Sequence, residues 1–125
     1  MRLLLDTHVF LWYTKSDRKL NAKSRTMIQN ANEVYVSSAS IWEATIKARL
    51  GKLDVKIDDL VKAISSSGFL ELSITAEHVA ATNRLSDVHR DPFDRILLAQ
   101  SITEPLTFLT ADELLKDYSK LVIII

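Results

Sequence analysis

Short apolar runs alternate along this chain with segments of helical spacing, and that alternation limits the folds open to it. The runs are Arg2–Leu5, Val34–Ser37, Phe69–Leu72, Leu106–Leu109 and Leu121–Ile125. They read as apolar strands rather than as the polar–apolar alternation of a half-solvated sheet, so both faces of the sheet must be covered. Between them lie His8–Thr14, Ala22–Ala31, Ala39–Leu50, Ile57–Ser67, Thr75–Leu85 and Phe93–Thr103, each with apolar residues three and four apart, and Ala111–Tyr118 reads as a shorter helix. Gly51 and Gly68 stand where two helices should stop, and Pro92 stands where one should start. Strand–helix alternation of this kind predicts an α/β fold of three layers, with a central, mainly parallel sheet flanked by helices.

At 125 residues the chain is the size of a single domain, 1–125, and can bury a core without staples. It has no cysteine, so any metal must be held by oxygen or imidazole, which favours hard ions such as Mg²⁺ or Mn²⁺. Only two glycines are present, which excludes a glycine-rich phosphate loop. The formal net charge is zero, whereas nucleic-acid binders usually carry a basic excess. A gathered acidic site would leave the remaining surface net basic. Met1–Leu5 is too short for a signal peptide and no apolar run approaches membrane-spanning length, so a cytoplasmic protein without membrane contact is expected.

The positions of four acids carry the functional reading. Asp6 directly follows Leu3-Leu4-Leu5. Glu43 is placed in the first turn of the helix after Val34–Ser37. Asp94 is in the first turn opened by Asp91-Pro92, and Asp112 follows Leu106–Leu109. In a parallel sheet the carboxyl ends of the strands share one edge, where ligands bind. Asp6, Glu43 and Asp112 should therefore converge, and Asp94 joins them if its helix packs beside the first strand. Four carboxylates so crowded repel one another unless cations lie between them. Hard divalent ions so held, about 3.5–4 Å apart if there are two, would supply hydroxide near neutral pH and relieve charge on a phosphoryl group.

Each acid also has a local explanation. Ser40-Ile41-Trp42-Glu43 and Thr110-Ala111-Asp112-Glu113 fit capping boxes, and Asp6 and Asp91 are suited to cap the helices that follow them. Side-chain direction weighs against this being all. Asp94 shares a face with Leu97 and Leu98, Asp6 ends an all-leucine run, and Glu43 and Asp112 sit at the margins of apolar faces.

Five stretches then resemble a known family: Leu3–His8, Val36–Glu43, Lys47–Leu53, His89–Arg95 and Leu109–Asp112 are similar, in order and spacing, to the PIN-domain toxins of bacterial type II toxin–antitoxin systems, the VapC-like proteins. The resemblance spans residues 1 to 125. It implies that Asp6, Glu43, Asp94 and Asp112 are catalytic, metal-holding residues of a Mg²⁺- or Mn²⁺-dependent endoribonuclease. It also implies a homodimer, a cognate antitoxin that enters the acidic groove, and contact with DNA only through that antitoxin. The alternative is a catalytically quiet PIN-like binding module acting through an antitoxin–operator complex. A phosphoryl-transfer domain with Asp6 as nucleophile fits the residues less well.

Other residues are open to two readings. Thr7 and Thr110 could orient a ligand carboxylate or cap helices. Lys47 could contact a phosphate, or pair with Glu43 at i,i+4. Arg95 could bind substrate, but a structural pairing with Asp91 is expected. His8, His78 and His89 lack metal-ligand spacing. Trp12, Trp42 and Phe93 could stack on bases, but their spacing predicts core or dimer packing.

Overall fold

In the computed structural model, which describes residues 1–87 and 90–125, the five strands form one sheet in the order β3-β2-β1-β4-β5 with every pairing parallel. They are β1 Arg2–Leu5, β2 Glu33–Ser37, β3 Leu70–Leu72, β4 Thr107–Thr110 and β5 Val122–Ile124. The helices are α1 Thr7–Thr14, α2 Ala22–Asn30, α3 Ser38–Arg49, α4 Ile57–Ser66, α5 Ala76–Ala81 and α6 Pro92–Thr103. The expected α/β architecture with a parallel sheet is therefore what forms. His89, and with it the middle of the loop expected over Ser86–Arg90, lies outside the described residues.

The centre of the sheet is β1, whose three leucines are buried completely. Because side chains alternate across a strand, they serve both faces. Leu3 and Leu5, with Val34, Val36 and Leu109, meet Val9 and Phe10 of α1, Ile28 of α2, and Leu60 and Ile64 of α4. Leu4 and Phe108 meet Leu97 and Leu98 of α6 and Leu115 on the opposite face. Two buried clusters separated by a sheet explain why the strands carry no polar face.

Local departures from expectation have local causes. The helix expected over Thr75–Leu85 is regular only over Ala76–Ala81 and tightens into a 3₁₀ turn at Thr82–Arg84. Ala111–Tyr118 forms only the 3₁₀ turn Glu113–Leu115, capped by Asp112. That turn buries Leu115 in the core, and Tyr118 packs partly buried against the same cluster. Leu121–Ile125 supplies a half-buried edge strand rather than a buried one, since β5 pairs with β4 alone.

Gly68 ends α4 at φ +80°, and a Cβ added there would touch nothing. The left-handed backbone is thus the only obstacle to a side chain. Gly68→Ala should cost about 1 kcal/mol and lower the thermal midpoint by roughly 3–5 °C in a circular-dichroism melt. An unchanged midpoint would show that the glycine is not required for this turn.

Candidate metal centre

The sheet order reverses direction at β1, whose two neighbours, β2 and β4, are reached by chain running to opposite sides. A crevice opens at such a point beyond the carboxyl ends of the strands. Here it is a cleft of about 300 Å³ lined by Asp6, Glu43, Asp91, Asp94 and Asp112, with Lys47, His8, Trp12 and Ala111. Asp94 reaches it because α6 packs its Leu97 and Leu98 on the β1 face through Leu4. Residues far apart in sequence are thus neighbours, and the helix amino ends that begin at Asp6 and Asp91 open on the same edge. Their dipoles partly offset the repulsion among the acids.

Asp6 ends β1 and is only 5% exposed. Its Oδ1 accepts from the Thr7 backbone N–H at 2.7 Å, so the expected cap is real. Its Oδ2 accepts from the Thr110 hydroxyl at 2.6 Å, and the same hydroxyl oxygen accepts the Asp112 backbone N–H at 3.1 Å. Thr110 therefore clamps the ends of β1 and β4 together. Burial pushes the Asp6 carboxyl above its ordinary value and Glu43 adds to this, against the Thr110 and Thr7 hydrogen bonds and the nearby His8.

Glu43 corrects the sequence reading. The helix begins at Ser38, two residues before Ser40: Ser37 is its cap, with its hydroxyl accepting from the Ala39 N–H at 3.0 Å. Glu43 lies in the second turn, so it is not part of a capping box. It is 4% exposed. Its Oε2 accepts from the Lys47 ammonium at 2.7 Å, while its buried Oε1 has no partner. Burial pulls the Lys47 ammonium down, but the Glu43 hydrogen bond and the charges of Glu43, Asp91 and Asp94 outweigh it and raise its pKa.

Asp94 is half-buried in the first turn of α6. Asp91 caps that helix through the Phe93 and Asp94 N–H groups at 2.9 and 3.3 Å. Asp112 caps its 3₁₀ turn through the Leu114 N–H at 3.0 Å, without the reciprocal box expected from Glu113. Thr7 caps nothing; its hydroxyl donates to Ser40 at 2.9 Å and ties α1 to α3. Arg95 is structural, as expected, but it donates to the carbonyls of Thr82, Leu85 and Ser86. Trp42 is not core: it is 60% exposed and edge-on to Phe93. Trp12 packs partly buried against the core, as its spacing predicts, and also lines the cleft beside His8.

Among the described residues, no three acids or histidines are already drawn in as tightly as an ion requires. Asp6 and Asp112 accept from protein donors and Glu43 holds an ammonium, so an ion would compete with these partners. The donor set nevertheless fits a hard cation. It is all oxygen, it is crowded with like charge, and it contains a buried carboxylate oxygen lacking any partner.

A model of the PIN domain family matches residues 3–121. The chain belongs to the PIN domain family. This PIN domain is 25% identical to Ribonuclease VapC22 of Mycobacterium tuberculosis (strain ATCC 25618 / H37Rv), over 93% of this chain and 91% of that relative. Its fold is also that of the crystal structure of VapBC2 from Rickettsia felis bound to a DNA fragment from their promoter. That match has a TM-score of 0.71 at 14% identity and covers 100% of this chain and 98% of the other. The resemblance in the sequence thus led to the right family and the right fold.

Proposed function

We propose that this PIN domain is a Mg²⁺- or Mn²⁺-dependent endoribonuclease and the toxin of a type II toxin–antitoxin pair. The observation that carries the reading is the meeting of Asp6, Glu43, Asp94 and Asp112 in one cleft, with a buried Glu43 oxygen lacking a partner. Those four residues would hold the ion. A bound ion would supply hydroxide from a coordinated water and relieve charge on the scissile phosphate. Thr110 fixes the direction of the Asp6 carboxylate and the height of the Asp112 backbone. Asp91 uses one oxygen to cap α6, and Asp94, in the first turn of that helix, is the residue we propose as the ligand.

The step from metal site to RNA is supported by the name of the mycobacterial relative, a ribonuclease. The rickettsial complex supports an antitoxin partner, through which DNA would be met indirectly. Exposed Trp42, beside Phe93, supports the expected homodimer. No helix among the described residues is long and apolar enough to cross a membrane, and the working place we propose is the cytoplasm. Four acids around one cleft count against a catalytically quiet module.

The test is cleavage of mixed single-stranded RNA by the purified chain. Cleavage is expected with Mg²⁺ or Mn²⁺, should stop in EDTA and return on ion addition. Asp94→Asn should lower it on the order of a hundredfold or more while the melt stays cooperative. A parent that cleaves no RNA with either ion, yet binds the protein of a neighbouring reading frame at nanomolar concentration, would replace this proposal with the quiet module.

A further inference from the structure

We propose that Lys47 is a counter-ion built into the site, which a metal ion must displace and which is then available to the RNA phosphate; this rests on the metal-dependent ribonuclease reading above. Among the described residues lining the cleft, Lys47 is the sole lysine or arginine, facing five carboxylates. Its ammonium lies 2.7 Å from Glu43 Oε2, so it neutralises the buried, single acid of α3. Lys47 lines the same cleft as Asp91 and Asp94, whose charges also favour its ammonium.

The two ends of this pair differ. The Glu43 side chain is 5% exposed, whereas that of Lys47 is 37% exposed. Glu43 is held by its surroundings, but the lysine has a flexible four-carbon stem and a route to water. When a divalent ion engages Glu43, the lysine is the partner that can leave. Its head would then stand at the mouth of the cleft, without its carboxylate and beside the ion. A phosphodiester oxygen needs a cation there, because the other cleft acids repel it. A single residue would thus weaken ion binding in the resting protein and strengthen substrate binding in the loaded one.

A lysine that merely decorates α3 would do neither, and calorimetric titration with Mn²⁺ separates the cases. Lys47→Met should bind Mn²⁺ more tightly than the parent by roughly two- to fivefold, the change expected when a half-exposed i,i+4 ion pair no longer competes. Lys47→Arg should stay close to the parent. With Ca²⁺ in place of Mg²⁺ to limit turnover, Lys47→Met should bind single-stranded RNA more weakly, with a salt slope smaller by about 0.7, one phosphate contact. The ¹⁵N signal of the Lys47 ammonium should be protected from exchange in ion-free protein and lose that protection on Mg²⁺ addition. If Lys47→Met fails to fold without ions, the parent's ammonium signal alone decides. Unchanged Mn²⁺ affinity in Lys47→Met, or an ammonium signal indifferent to Mg²⁺, would overturn the counter-ion role. A parent that binds no Mn²⁺ at all would overturn the metal-site reading instead.

Discussion

Replacing Asp6 by asparagine is expected to stop metal-dependent cleavage and, at the same time, to make the ion-free protein harder to unfold. The carboxylate is 5% exposed at the end of an all-leucine strand. Burial raises its pKa more than the Thr110 and Thr7 hydrogen bonds lower it. The folded state therefore holds the Asp6 proton more tightly than the unfolded chain does. The buried charge costs stability as pH rises from the unfolded pKa, near 4, through the folded one. Asparagine removes that cost. Its amide oxygen can still accept the Thr7 N–H, and its amino group can donate to the Thr110 hydroxyl oxygen.

In melts without metal at pH 7, Asp6→Asn should unfold a few degrees above the parent, and the gap should close as the pH is taken below the ordinary carboxylate range. Mn²⁺ reverses the order. The parent should gain about 2.7 kcal/mol at a hundredfold excess over Kd, whereas the variant should gain little. RNA cleavage should fall on the order of a hundredfold or more. An Asp6→Asn protein that is less stable than the parent by the same margin at every pH would show that the buried charge is not what the ion relieves.

Thr110→Val should cost both stability and rate. The substitution keeps the shape of the side chain but removes the hydroxyl that donates to Asp6 and accepts from Asp112. One buried carboxylate oxygen and one half-buried N–H lose their partners. Each such loss costs about 1–3 kcal/mol, so roughly 2–6 kcal/mol in all, a fall in Tm on the order of 10 °C or more. A residue that orients a ligand typically contributes about 10- to 100-fold in metal affinity or activity. The hydroxyl also lowers the Asp6 pKa. Without it, the acidic limb of the pH–rate profile should move to higher pH. Thr110→Ser retains the hydroxyl and should recover most of the rate and the profile. If the valine and serine variants behave alike, Thr110 acts only through its bulk.

Much of this was legible from short-range pattern. Apolar runs of four or five residues marked the strands, and Gly51 and Gly68 marked helix ends now seen at φ +73° and +80°. Asp91-Pro92 marked the start of α6. Such signals reach only a few residues, because capping, dihedral preference and helical spacing act over one or two turns. They also misled within that range. Ser40 and Glu43 have capping-box spacing, but the chain turns earlier, at Ser37, and the glutamate faces inward from the second turn. Trp42 has core spacing yet stays exposed, since α3 has apolar residues on more than one side and the sheet can cover only part of it.

The sequence by itself determined the class of fold, the sites of strand-to-helix transition and the presence of four acids near the starts of helical segments. Only the tertiary structure decided that these acids share a cleft, that Lys47 lines it and that Thr110, 104 residues from Asp6, joins it to Asp112. The reason is physical. Element type follows from local energetics, whereas strand order follows from covering both faces of the sheet at once. That global requirement made β1 central, placed β4 beside it and brought Asp6 and Asp112 to the same edge.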